Sequence, residues 1–133
     1  MEATTILPIV AVLSLVTVEY GGWALLSFIT GCEGLAGWQK GFFRAGHAHA
    51  GVLLLLSLVY LLYLPRADFS DRFEWISGSV LIAGVLAQSG GFFVHLGVGQ
   101  PDAPSVGTKL TRAGAILIGA GLVALAVGLI RTA

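Results

Sequence analysis

The chain has 133 residues, of which 56% are hydrophobic and 11% charged, and its mean hydropathy is +0.92. That length suits one domain, and that apolarity exceeds what a water-soluble domain of this size can bury. Seven basic residues balance seven acidic ones, which excludes the basic face a nucleic-acid partner requires. The one cysteine, Cys32, excludes an intrachain disulfide and reads as an ordinary loop thiol.

The first apolar run has no positive segment ahead of it and carries Glu2, so it reads as a retained span, not a cleaved signal peptide. Four such runs, about 5–30, 42–64, 73–98 and 108–130, each approach the roughly 20 residues a bilayer core demands. Only helices satisfy every backbone polar group inside lipid. The expected architecture is therefore all-α: an integral membrane bundle of four transmembrane helices in a single domain spanning 1–133, multi-pass in the cell membrane. Between the runs, Gly31 to Gly41 is glycine-rich, Pro65 to Asp71 stops the second helix, and "GVGQPDAPSVG" cannot continue the third. Asp71 and Glu74 fit a capping box at the start of the third helix. Trp23, Trp38, Phe42 and Phe43 mark one interface, and Tyr60, Tyr63 and Trp75 mark the other. Arg66, Arg72 and Arg131 on one side face Lys40, Arg44, Lys109 and Arg112 on the other, too even a division to orient the chain. On the fourth helix Ala120, Ala124 and Gly128 share a face, and Ala115 and Gly119 are also four apart. This small-residue spacing suits either packing within the bundle or a homo-oligomer interface.

Four spans place the polar groups in one half of the membrane. Glu19 and Tyr20 end the first helix there, Arg44, His47 and His49 begin the second, Gln88, Ser89 and His95 close the third, and Lys109 and Arg112 open the fourth. Ionisable groups inside a span are costly, and one polar or cofactor-bearing cavity would account for all of them. Glu19 reads either as an ion-pair partner of Arg44, Lys109 or Arg112 or as a proton carrier. Tyr20 reads as an interface anchor or a hydrogen-bond donor. Arg112 can snorkel to the interface or bind an anionic group such as a haem propionate. His47 and His49 point about 200° apart on a helix, so one faces the bundle and the other a neighbouring helix or subunit. Three histidines on two helices could assemble a zinc or copper site, yet such sites usually want three or four closely spaced ligands, and cysteine and a second nearby carboxylate are lacking. Haem needs only one or two axial histidines and a flat apolar slot, which the glycines of "YGGW", "SGGFF" and the "GVL" after His49 supply.

The second-helix stretch "FFRAGHAHAGVLLLL" followed by "QSGGFFVHLGVGQPD" in the third resembles the styrene oxide isomerase family, over the four-span layout and roughly residues 42 to 100. The resemblance implies a trimer that holds haem b between protomers. It implies an axial histidine on the second helix and a ferric iron acting as a Lewis acid on an epoxide, which rearranges to an aldehyde. Matched to the family's His-x-Gly, the axial position falls on His49, with Gly51 after it and His47 as an addition. Three family positions differ here: an asparagine falls on Leu55, a tyrosine on Phe93 and an aspartate near Val85. The expected site is thus His49, His47 and His95 as metal-ligand candidates, Arg44, Arg112, Phe93 and Gly51 around the cofactor, and His47, Glu19 and Tyr20 in catalysis on a hydrophobic small molecule. The alternatives are a bis-histidine electron-transfer or haem-handling protein, or a membrane subunit or transporter that uses His and Glu for protons or a metal.

Overall fold

The computed structural model describes residues 2–30 and 34–133, so Cys32 lies outside the described residues. Four long helices follow one another: α1 (Ala3–Thr30), α2 (Gly37–Tyr63), α3 (Asp71–Val98) and α4 (Val106–Thr132). Each has 27 or 28 residues, roughly 40 Å at 1.5 Å per residue, more than the ~30 Å of a hydrocarbon core. All four are long and apolar enough to cross a membrane. The chain is a multi-pass helical membrane protein. Successive helices are packed neighbours, α1 on α2, α2 on α3 and α3 on α4, as short connections dictate.

The helix ends show how local chemistry sets the bounds. α2 starts at Gly37, ahead of the expected position near 42. Gln39 is the reason: its Oε1 accepts the Ala36 N–H at 2.9 Å, and its Nε2 donates to the Leu96 carbonyl at 3.2 Å. One side chain thus satisfies the new helix's first donor and pins it to the end of α3. The capping box expected of Asp71 and Glu74 is not formed. Ser70 is the N-cap, and its carbonyl takes the N–H groups of Phe73 (2.8 Å) and Glu74 (3.0 Å). The two acids stand in the first turn, where the helix dipole favours them. α4 has the reciprocal box. Ser105 Oγ accepts the N–H groups of Gly107 and Thr108, and Thr108 Oγ1 accepts the Ser105 N–H at 2.9 Å.

The interior divides into two unlike halves. Toward the chain termini it is aliphatic, with Leu7, Leu61, Leu64, Leu81, Val85 and Leu125 buried together. Toward the opposite face it is aromatic, glycine-rich and imidazole-bearing. Phe28, Phe43 and Phe93 form one edge-to-face series, at 5.9 and 5.4 Å. His95, Phe42, Phe92 and His49 form a second series of tilted rings, at 4.2, 6.1 and 4.8 Å. The polar residues do therefore gather in one half of the span.

α3 and α4 approach to backbone contact along a seam of buried glycines. On α4 these are Gly107, Gly114 and Gly121, seven residues apart; Gly128 keeps the period but packs on Ala67 and Phe69, ahead of α3; on α3 Gly84 and Gly91 repeat the same interval. A Cβ on Gly84 would lie 3.0 Å from the Gly114 carbonyl oxygen, and one on Gly91 would lie 2.5 Å from that of Gly107. Without a hydrophobic force between helices in lipid, such close approach supplies the packing and weak C–H···O contacts that hold them. The stripe of Ala120, Ala124 and Gly128 is not this seam: Ala120 is exposed, and Gly119 has nothing within 4 Å of an added Cβ.

One buried polar atom lacks a partner: the Tyr60 hydroxyl, in a residue 1% exposed, makes no hydrogen bond among the described residues. An unsatisfied buried hydroxyl costs about 1–3 kcal/mol. Tyr60→Phe is therefore expected to raise the thermal unfolding midpoint in detergent; a lowered midpoint would show that the hydroxyl is satisfied.

Candidate functional site

The three histidines have three different environments. His47, partly buried, occupies a notch that Gly21 and Gly22 leave in α1. A Cβ on Gly22 would come within 3.2 Å of its Cε1 and 3.3 Å of its Nε2. The glycine pair of "YGGW" thus serves to admit an imidazole between two helices.

His95 is 2% exposed. Its Nδ1 lies 2.7 Å from Ser105 Oγ. That oxygen already accepts two backbone N–H groups, so its single proton is directed to Nδ1, and the imidazole carries its own proton on Nε2. Phe42 stacks on the ring at 4.2 Å, and Trp38 meets it edge-on at 5.9 Å. Gly99 and Gly107 complete the socket: a Cβ on Gly99 would lie 2.5 Å from Nδ1. His95 ties the end of α3 to the start of α4.

His49 differs from both. Its Nδ1 donates to the Ala45 carbonyl at 2.8 Å. The ring is thereby fixed as the Nδ1–H tautomer, and Nε2 keeps its lone pair with no protein partner. This is the orientation second-shell hydrogen bonds give metal-ligating imidazoles. The ring leans on Phe92 at 4.8 Å and lines an open groove of about 350 Å³ with Ala48, Val52, Leu53 and Gln88. One turn earlier a second hollow of about 250 Å³ lies over Trp38, Gly41, Phe42, Ala45 and Phe92. Gly41, Ala45 and Ala48 recur at helical spacing, so the two hollows lie along one face of α2, with a small-residue floor and aromatic and aliphatic walls.

The remaining expected residues are spread over the chain. Gly51 faces Val18 of α1, 3.7 Å from an added Cβ, so it shares the His47 side of α2 and not the groove. Phe93 meets Phe43 and Gly46; the aromatic on His49 is its neighbour Phe92, since one residue turns a helix by about 100°. Arg44 is exposed. Arg112 lines a separate cleft with His95, Asp102 and Thr108. Glu19 and Tyr20 are exposed on the outer face of α1, and Glu19 forms no ion pair with Arg44, Lys109 or Arg112. His47, Glu19 and Tyr20 are thus not assembled around His49 by a single chain. No three His, Cys, Asp or Glu side chains come together among the described residues as a metal site would need, so the three histidines do not converge on one zinc or copper ion. Leu55 is exposed and Val85 is a core residue. The groove residues not expected from the sequence are Ala45 and Phe92, whereas Gln88 was expected in this half of the membrane. Only the i−4 spacing of Ala45 from His49 offered a signal.

Fold and site together define a four-span helical membrane protein with a lateral, histidine-bearing groove. Comparison of the chain with protein-family models, curated proteins and solved structures finds no match.

Proposed function

We propose that the chain is a haem b-binding protein of the cell membrane that acts on a hydrophobic small molecule, with His49 as the axial ligand. The observation that supports this most is the His49 imidazole. Its Nδ1–H is held by the Ala45 carbonyl, and its Nε2 lone pair is free beside an apolar groove. The donor chemistry and the groove suit a planar macrocycle: Gly41, Ala45 and Ala48 let a ring approach the helix, and Trp38 and Phe92 offer faces to stack on. Bound there, the iron would supply a Lewis-acidic or redox-active centre. The chain's own part is to hold and exclude. The Ala45 carbonyl would raise the basicity of the ligating nitrogen, Val52 and Leu53 would give the ligand an apolar wall, and the Gln88 amide is a polar group of the groove that could hydrogen-bond a substrate. A substrate enters sideways from lipid, because the groove lies on the outer face of α2 and α3.

The same openness supports a homo-oligomer, trimeric by the resemblance to styrene oxide isomerases. A groove on one chain's surface needs a second wall, and the exposed Glu19 in the apolar face of α1 is costly against hydrocarbon. The isomerase-like chemistry is the reading we favour for the activity.

The decisive experiment is the visible spectrum of detergent-purified protein from cells supplied with haem. A Soret band that shifts when a small apolar ligand is added supports an open iron position. A protein without a Soret band sinks the proposal. A low-spin bis-histidine spectrum would instead mark an electron-transfer or haem-handling protein.

A further inference from the structure

A second cleft, of about 390 Å³, opens at the mouth of the α3–α4 hairpin. It is lined by Phe42, His95, Asp102, Ala103, Pro104, Thr108 and Arg112. It shares only Phe42 with the two hollows along α2, and its chemistry is independent of haem at His49.

Three polar groups in this cleft are unspent. The His95 ring is 2% exposed, and with Nδ1 on Ser105 its Nε2 has no hydrogen-bond partner among the described residues; where Ser105 donates to Nδ1, Nε2 carries the proton. The Thr108 hydroxyl is not available: it donates to the Ser105 carbonyl at 2.8 Å and accepts the Ser105 N–H at 2.9 Å. Arg112 and Asp102 share the cleft but lie too far apart to form an ion pair. Asp102 is held at φ 61° in a turn closed by the Ala103 N–H on the Gln100 carbonyl, a left-handed conformation that aspartate tolerates better than most residues. The carboxylate is therefore presented by a constrained turn. A cation and an anion facing one space without touching complement a ligand that carries both charges.

The depth of the two charges orders that ligand. Arg112 lies six residues into α4, about 9 Å of helix rise inside its first residue, whereas Asp102 belongs to the loop beyond the helix ends. Arg112 is thus rooted deeper along the cleft than Asp102, which stands at its loop-side rim. In an aminophospholipid the order is complementary: the phosphate lies next to the glycerol and the ammonium beyond it. We propose that this cleft binds the headgroup of a zwitterionic aminophospholipid. Arg112 and the His95 Nε2–H hold the phosphate, and Asp102 accepts hydrogen bonds from the primary ammonium. A quaternary ammonium cannot donate to Asp102, and an anionic headgroup meets its charge, so phosphatidylethanolamine is selected over both phosphatidylcholine and phosphatidylglycerol.

The test is native mass spectrometry of the purified full chain, equilibrated with an equimolar mixture of those three lipids in detergent. The wild type is expected to retain phosphatidylethanolamine about tenfold over either competitor, the scale of one charge-assisted hydrogen bond. Asp102→Asn should bring phosphatidylethanolamine and phosphatidylcholine near parity while lipid is still bound. Arg112→Gln should lower retention of all three. Soluble glycerophosphoethanolamine should displace the lipid better than inorganic phosphate does. Equal retention of the three lipids by wild type, an unchanged preference in Asp102→Asn, or equal displacement by inorganic phosphate would each overturn the proposal. Both substituted side chains are exposed, and unchanged helical circular dichroism checks that the variants fold.

Discussion

If His49 is the axial ligand proposed above, His49→Ala is expected to strip haem from the purified protein, and imidazole added to the detergent solution is expected to restore it. The expectation follows from geometry on α2. The Ala45 carbonyl fixes the His49 tautomer and leaves Nε2 beside the groove. Removal of an outer-shell partner already costs 10–100-fold in affinity for typical metal sites, so loss of the ligand itself is expected to exceed about 100-fold. Because the groove is open, free imidazole can reach the vacated position. His47→Ala provides the contrast. Its ring fills the notch at Gly21 and Gly22, so its loss should loosen α1 against α2 and lower the thermal midpoint while the Soret band persists. Haem kept by His49→Ala and lost by His47→Ala would transfer the axial role to His47.

Gly114→Ala is expected to be the most damaging single-carbon substitution in the bundle. The new methyl would press on the Gln88 backbone nitrogen and lie 2.5 Å from the Gly84 carbonyl oxygen. Backbone cannot rotate away as a side chain can, so the two helices must part along the seam. Overpacking of this kind costs about 1–3 kcal/mol and at times more, and parting the helices here would also strain the hydrogen bond that Thr111 Oγ1 donates to the Gln88 carbonyl at 3.2 Å. The control lies five residues away on the same helix. Gly119 has open space around it, and alanine there should gain the usual helical advantage of about 0.5–1 kcal/mol. Thermal or denaturant unfolding in one detergent, with both variants side by side, reads the difference. Equal midpoints would show that α3 and α4 are not in backbone contact.

The four spans were legible because hydropathy and length in lipid admit one kind of element. The gathering of His47, His49, His95 and Arg112 in one half followed from alternating direction alone. What lay hidden depends on rotation about a helix axis. Sequence put His47 and His49 on opposite faces of α2, yet nothing in it said which face met α1; that is set by Gly21 and Gly22. Phe93 was expected on the cofactor and Phe92 is the residue that touches His49, a difference of one position. The i, i+4 pattern of Ala120, Ala124 and Gly128 masked the slower seven-residue beat of Gly107, Gly114, Gly121 and Gly128. Arg112 was expected to share a ligand with His49 because depth is readable from sequence and direction is not.

The aliphatic half of the interior has a consequence for how the molecule is loaded. Leu7, Leu61, Leu64, Leu81 and Leu125 meet in the half away from the histidines, and the glycine seam joins α3 to α4 along their length. Neither depends on anything bound at His49. A scaffold of this kind should assemble whether or not the groove has an occupant. On the proposed function, ligand acquisition would then be a separate step, and the empty form should be a folded, long-lived species in the bilayer.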